Sequence, residues 1–155
     1  MALTTVQTAM LGTGAVLQVV NATYGTQAGT TSSTFIDTGL TATITPKFAN
    51  SKILVIASVA GCYVDGNTNQ SSGMKLQLVR GSTSLIQNEG NLALHDGSAF
   101  NLVVSATTNY LDSPATTSAT TYKMQFCRAS TNAGTVYVQI FSTSTSTITL
   151  MEIAQ

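Results

Sequence analysis

Apolar and polar positions alternate with a period of two through most of the chain, and no stretch holds the i, i+3, i+4, i+7 spacing of a helix over three turns. The pattern predicts about nine short strands. The first spans 15–24, and a Gly/Thr/Ser stretch over 25–33 separates it from a second over 34–45, which Pro46 closes. A third runs over 52–64, and its unbroken Ile53-Leu54-Val55-Ile56-Ala57 suits a strand covered on both faces. Met74, Leu76 and Leu78 share one face of a strand over 74–80, and Arg80-Gly81-Ser82-Thr83 reads as a tight turn into 84–88. Further strands are expected over 98–111, 121–128, 135–141 and 146–153. In the last, Ile148 and Leu150 are in phase while Met151 and Ile153 are out of phase, so a bulge is expected near Glu152.

Two polar segments, Asp65 to Gly73 and Glu89 to Gly97, read as surface loops, and Pro114 places a turn or edge crossing over 112–119. Residues 1–13 fit no strand and read as an extended arm ahead of a single domain over 14–155. Short strands joined by long polar loops predict an all-β fold: an antiparallel β-sandwich, with a jelly roll as the leading candidate.

Composition narrows the function. Of 155 residues 8% are charged, six basic against six acidic, whereas globular chains usually carry about 25%. Polarity comes from hydroxyls instead, with 27 Thr and 16 Ser. Lys47, Lys52, Lys75, Arg80, Lys123 and Arg128 are scattered and do not cluster with aromatics, so no nucleic-acid partner and no anionic membrane surface is expected. The longest apolar run, Ile53 to Ala57, is far short of the roughly 20 residues of a membrane helix. Met1 to Met10 has neither a basic nor an extended apolar region, so a secretory leader is not expected. Cys62 and Cys127 fall in separate strand-like runs. Two buried thiols are expected, and a disulfide stays open only if those strands are neighbours.

No chemistry assembles from the pattern. The single histidine, His95, stands beside Asp96 in a polar segment, whereas a Ser-His-Asp hydrolase needs its acid to orient the ring from across the fold. Asp65-Gly-Asn67-Thr-Asn69 resembles the start of a calcium loop, but the required glycine falls on Gln70 and the terminal acid on Leu76. No metal, cofactor or enzymatic activity is expected. Asp65, Asn67, Asn69, Glu89, His95 and Asp96 are the candidate solvent- or receptor-facing loop residues.

Several segments taken in order carry a resemblance. They are Gly14-Ala-Val-Leu-Gln-Val-Val20, Phe35-Ile-Asp-Thr-Gly-Leu-Thr-Ala-Thr-Ile-Thr-Pro46, Ser51-Lys-Ile-Leu-Val55 and Leu78-Val-Arg-Gly-Ser-Thr83. Leu111-Asp-Ser-Pro-Ala-Thr-Thr-Ser-Ala-Thr-Thr-Tyr122 and Ser146-Thr-Ile-Thr-Leu-Met-Glu-Ile153 complete the set. Together they resemble a β-rich domain of tailed bacteriophages, notably those of cyanobacteria and marine bacteria, found in tail fibres, head fibres and capsid decorations. The resemblance implies a non-enzymatic virion protein, assembled in the host cytoplasm and not secreted, with a homotrimer expected. Its partners would be itself and the major capsid protein or tail and fibre proteins. The first expectation is a decoration (cement) protein that docks on the shell through its arm, by Leu3, Val6, Met10 and Leu11. The alternative is a head- or tail-fibre subunit whose polar loops bind a host-surface glycan. A host lectin or cytokine-like module fits the missing leader and the phage-like motifs less well, and a hydrolase comes last.

Overall fold

The computed structural model describes residues 12–66, 72–95, 102–129 and 134–155, with the backbone alone at 66, 72 and 89–95. The described residues form ten strands and no helix. These are β1 (Val16–Tyr24), β2 (Ala28–Thr30), β3 (Ile36–Ile44), β4 (Lys52–Gly66), β5 (Ser72–Arg80), β6 (Thr83–His95), β7 (Val103–Asp112), β8 (Thr120–Arg128), β9 (Gly134–Val138) and β10 (Ser146–Ile153). β-Branched Thr, Val and Ile fill them, and their stiff side chains favour the pleated backbone.

The pairing is that of one long hairpin wound on itself. β5 and β6 form its tip, and behind them β4 pairs β7, β3 pairs β8 and β1 pairs β10, all antiparallel. Winding adds two further pairings, β10 with β4 and β8 with β5. The result is a sandwich of two sheets, β1-β10-β4-β7 and β3-β8-β5-β6, with short strands β9 and β2 extending the first beside the far half of β4. This is a jelly roll.

Alternating side chains of both sheets meet in one core. Ile53, Val55, Ala57, Val59, Ile148 and Leu150 come from the first sheet, and Leu40, Ile44, Met74, Leu76, Leu78, Met124 and Phe126 from the second. Cys62 and Cys127 are buried and unpaired, one in each sheet. Burial pushes the Cys62 thiol up to about 12.

Four expectations are corrected. β6 continues to His95, so Glu89 and His95 lie in a strand and not in a loop. The register shift between Leu76, which pairs Asn88, and Met74, which pairs Leu92, absorbs two extra residues of β6 around Glu89, and a second shift lies between Leu92 and His95. Asp65 and Gly66 likewise end β4, while Ser72 and Gly73 open β5. The 25–33 stretch contains β2. There is also no bulge at Glu152: β10 keeps strict alternation, with Glu152 itself on the buried phase and Met151 and Ile153 outward. The irregularity sits across the ladder in β1, where Val16 pairs Ile153 and Gln18 pairs Glu152, leaving Leu17 as the extra residue.

A buried polar clasp joins the sheets at one end. Asp112 of β7, 5% exposed, accepts from Arg80 Nη1 of β5 at 2.8 and 2.7 Å and from the Tyr122 hydroxyl of β8 at 2.7 Å. Burial, followed by the hydrogen bond to the Asp112 carboxylate, raises the Tyr122 phenol far above its ordinary range, so it stays a donor. Asp112→Ala leaves a guanidinium and a buried hydroxyl without their acceptor and is expected to cost about 2–4 kcal/mol. Tyr122→Phe is expected to cost about 1–2 kcal/mol. Urea unfolding checks both, and an Asp112→Ala midpoint equal to wild type would contradict the clasp.

Candidate functional site

Three described carboxylates, Asp37, Asp112 and Glu152, are engaged in holding the fold. Glu152 is fully buried, yet its Oε1 accepts from the backbone N–H of Lys47 at 2.8 Å and of Phe48 at 3.2 Å, and its Oε2 from Gln18 Nε2 at 2.6 Å. Gln18 Nε2 also donates to Thr45 O at 2.8 Å. One carboxylate therefore ties β1, β10 and the turn that Pro46 begins. Burial alone would raise the Glu152 carboxyl, but the Gln18 amide and the two N–H groups outweigh it and hold the group below the ordinary range. Asp37, where burial is outweighed by Lys123 at 2.8 Å and Gln125 at 2.6 Å, is also lowered. His95 pairs with Ser72 through the backbone at the last position of β6. Among the described residues no three His, Cys, Asp or Glu side chains cluster to hold a metal.

The register sorts the candidate residues between two poles. At one, β4 ends at Gly66, opposite Gly134 of β9, and β6 ends at His95, opposite Ser72 of β5. Asp65 and the backbone of His95 come to this same pole. Glu89 lies further along β6, between the Asn88–Leu76 and Leu92–Met74 pairs. Asn67, Asn69 and Asp96 lie outside the described residues, as do Leu3, Val6, Met10 and Leu11. The other pole holds Gly14, whose N–H donates to Ala154 O at 2.8 Å, together with the Pro46 turn, the Arg80–Asp112 clasp and Glu152. Residues 1–11 therefore join the domain at the pole opposite Asp65. β4 spans the two poles over about 45 Å.

The two outer faces differ in chemistry. Across β3-β8-β5-β6 one outward rung reads Asp37–Gln125–Gln77–Gln87. It is knitted by Gln125 Nε2 to Asp37 at 2.6 Å and Gln77 Nε2 to Gln125 Oε1 at 2.7 Å, and the Lys123–Asp37 ion pair lies beside it. Across β1-β10-β4-β7 the corresponding rung reads Val19–Met151–Leu54–Leu111. Val19 is 56% and Leu111 50% exposed, and Ile56 of the next rung is 38% exposed. Alternation along single strands predicts each outward side chain, but the rung becomes visible only once strand order and register are known.

Nearer the Asp65 pole the same face carries aromatics. The rings of Tyr63 and Tyr137, a cross-strand pair, stack with centroids 6.1 Å apart and planes at 23°. Gly29 pairs with Tyr137, and a Cβ there would lie 2.6 Å from its ring, so the glycine makes room for the aromatic. Tyr63, Val103, Ile140 and Phe141 line an open hollow beside the pair.

No protein family and no curated protein sequence matches the chain. Among solved structures it is similar to the infectious bursal disease virus VP2 subviral particle, with a TM-score of 0.44 and 11% identity over 100% of this chain and 43% of that one. T=1 particles derived from infectious bursal virus match with a TM-score of 0.41 and 13% identity, over 100% of this chain and 41% of that one. The chain spans less than half the length of these proteins.

The Glu152 contacts predict an acid dependence. A carboxyl held below its unfolded value stabilises the fold above that value, and the contribution is lost as pH falls through the folded one. Stability should be level from pH 7 to 5 and decline below about pH 4.5. Glu152→Gln is expected to be less stable at pH 7 and to show a shallower acid decline. Denaturant titrations from pH 7 to 3 check this, and parallel pH profiles would contradict it.

Proposed function

We propose that the chain is a structural protein of a bacteriophage virion, most concretely a capsid decoration (cement) protein that clips onto the assembled shell and reinforces it. The observation that carries the reading is the two-pole arrangement: Gly14, just after the arm in sequence, lies at one end, and Asp65 and the backbone of His95, which border the polar segments in sequence, lie at the other. A subunit that attaches by its arm would thereby present those segments outward. The phage-domain motifs support the setting, and the near absence of charge suits a protein packed among copies and shell subunits. The arm contacts fall to Leu3, Val6, Met10 and Leu11, and the domain assembles as a homotrimer in this reading.

A second reading rests on the Tyr63–Tyr137 pair and the hollow beside it. Aromatic faces next to polar residues suit the apolar face of a sugar ring. On that reading the chain is a head- or tail-fibre subunit that binds a host-surface glycan near Asp65, Asn67 and Asn69, with Glu89, His95 and Asp96 as further contacts.

Deleting residues 2–13 is expected to leave a folded oligomer that no longer joins particles lacking this protein. Incorporation at the wild-type level would overturn the arm's role. A tagged full chain is expected to bind bare capsids and leave host cells unlabelled, while labelled cells and unbound capsids would favour the fibre reading.

A further inference from the structure

We infer that Tyr63 and Tyr137 form an oxidative cross-linking site, at which a peroxide-driven one-electron oxidant joins the two rings and staples β9 to β4. The inference goes beyond the virion reading and does not depend on it.

Register builds the pair, which is the one set of stacked rings among the described residues. Tyr63 of β4 and Tyr137 of β9 are direct cross-strand partners, with centroids 6.1 Å apart and planes at 23°. Each stands between two buried neighbours, Cys62 and Val64 on β4 and Val136 and Val138 on β9, so alternation holds both rings on the outer face. Gly29, the partner of Tyr137 on β2, has no side chain where a Cβ would lie 2.6 Å from that ring. The hollow lined by Tyr63, Val103, Ile140 and Phe141 opens beside the pair and gives a small oxidant access. The other tyrosines lack these features. Tyr122 is fully buried and donates to Asp112, Tyr24 lies over Gly39, and Tyr110 packs against the core.

Electrostatics eases oxidation at this place. Asp65 is exposed two residues beyond Tyr63, on the same side of β4. Burial, followed by the charges of Asp65 and Tyr137, raises the Tyr63 phenol, so it stays neutral and gives up a proton together with its electron. The Asp65 carboxylate stabilises the positive charge that develops as the electron leaves. Each phenol loses one electron and one proton to become a tyrosyl radical. The radicals join through ring carbons ortho to the oxygens, forming one C–C bond. The hydrogen on each of those carbons then shifts to the oxygen as aromaticity returns. Hydrogen peroxide takes up the two electrons and two protons and leaves as two waters. The bond falls where the sheet is least tied: β9 holds to β4 through four ladder pairs, and β2 pairs with β9 alone among the described strands. Joining residues so far apart in sequence also restricts the unfolded chain.

The test treats the full chain, in dilute solution, with hydrogen peroxide and a haem peroxidase. The product is expected to keep its 16.1 kDa on a denaturing gel and to show the blue emission of dityrosine, free of tryptophan background. A peptide map is expected to join the Tyr63 and Tyr137 peptides with the loss of two hydrogens, which separates the link from methionine oxidation, an addition of oxygen. Tyr63→Phe and Tyr137→Phe, which keep the rings, are each expected to abolish the joined peptide, and Tyr110→Phe to leave it. Treatment is expected to raise the urea midpoint of wild type and of neither the Tyr63→Phe nor the Tyr137→Phe variant. Links between chains, a link through another tyrosine, or no link while free tyrosine couples in the same solution would overturn the inference. A link at this pair that leaves the urea midpoint unchanged would overturn its role as a staple.

Discussion

The register of β4 is the constraint from which the other features follow. It is paired along both edges, with β7 on one side and β10 followed by β9 on the other. Side chains alternate with a period of two, so a slip of one residue would turn Ile53, Val55 and Ala57 outward and bring Leu54 and Ile56 into the core. Either set is apolar, so the pattern of β4 alone does not choose between them. Its neighbours do. The clasp draws Asp112 inward opposite Ile53, and the contacts of Glu152 do the same on the other edge.

One strand serves two partners on the same edge because it bends between them. At the bulge after Val59, Ala60 and Gly61 stand against a single residue of β7. Gly61 has φ +62°, and a Cβ there would lie 2.6 Å from Ser144 Oγ, so glycine is required on both conformational and steric grounds. The freed backbone groups are taken up locally. The N–H of Gln139 donates to Ala60 O at 2.9 Å, and Ala60 N–H donates to Ser146 Oγ at 2.9 Å. The seam between β10 and β9 is thus closed by the residues that connect them.

The strands were largely legible in the sequence, because β-branched alternation and Gly or Pro punctuation are local signals. The bounds of β10 agree to the residue, and Pro46 closes β3 close to where its fixed geometry predicts. What escaped was tertiary in origin. Glu152 read as a break in pattern because an acid is not expected on a buried phase, and only the fold brings Gln18 and two turn amides to it. β2 is three residues long and exists by pairing with β9. The polar composition around Glu89 hid the continuation of β6, whose ladder with β5 tolerates the irregular residues. The apolar rung was out of reach for the same reason, since its four members lie in four separate strands of the sequence. Asp65 and Gly14 could be named from the sequence, but their placement at opposite poles required the register.

The proposed function treats this domain as a subunit with direction, with Gly14 at one pole and Asp65 at the other. A decoration protein uses such a body at every equivalent site of a shell, whereas a fibre uses it at a few. The copy number of this chain per purified virion, by quantitative mass spectrometry against the major capsid protein, tests the account most directly. A ratio in simple proportion to the capsid lattice is the predicted result. A ratio matching only a handful of fibres would contradict the decoration reading, and absence from the virion would contradict the account as a whole.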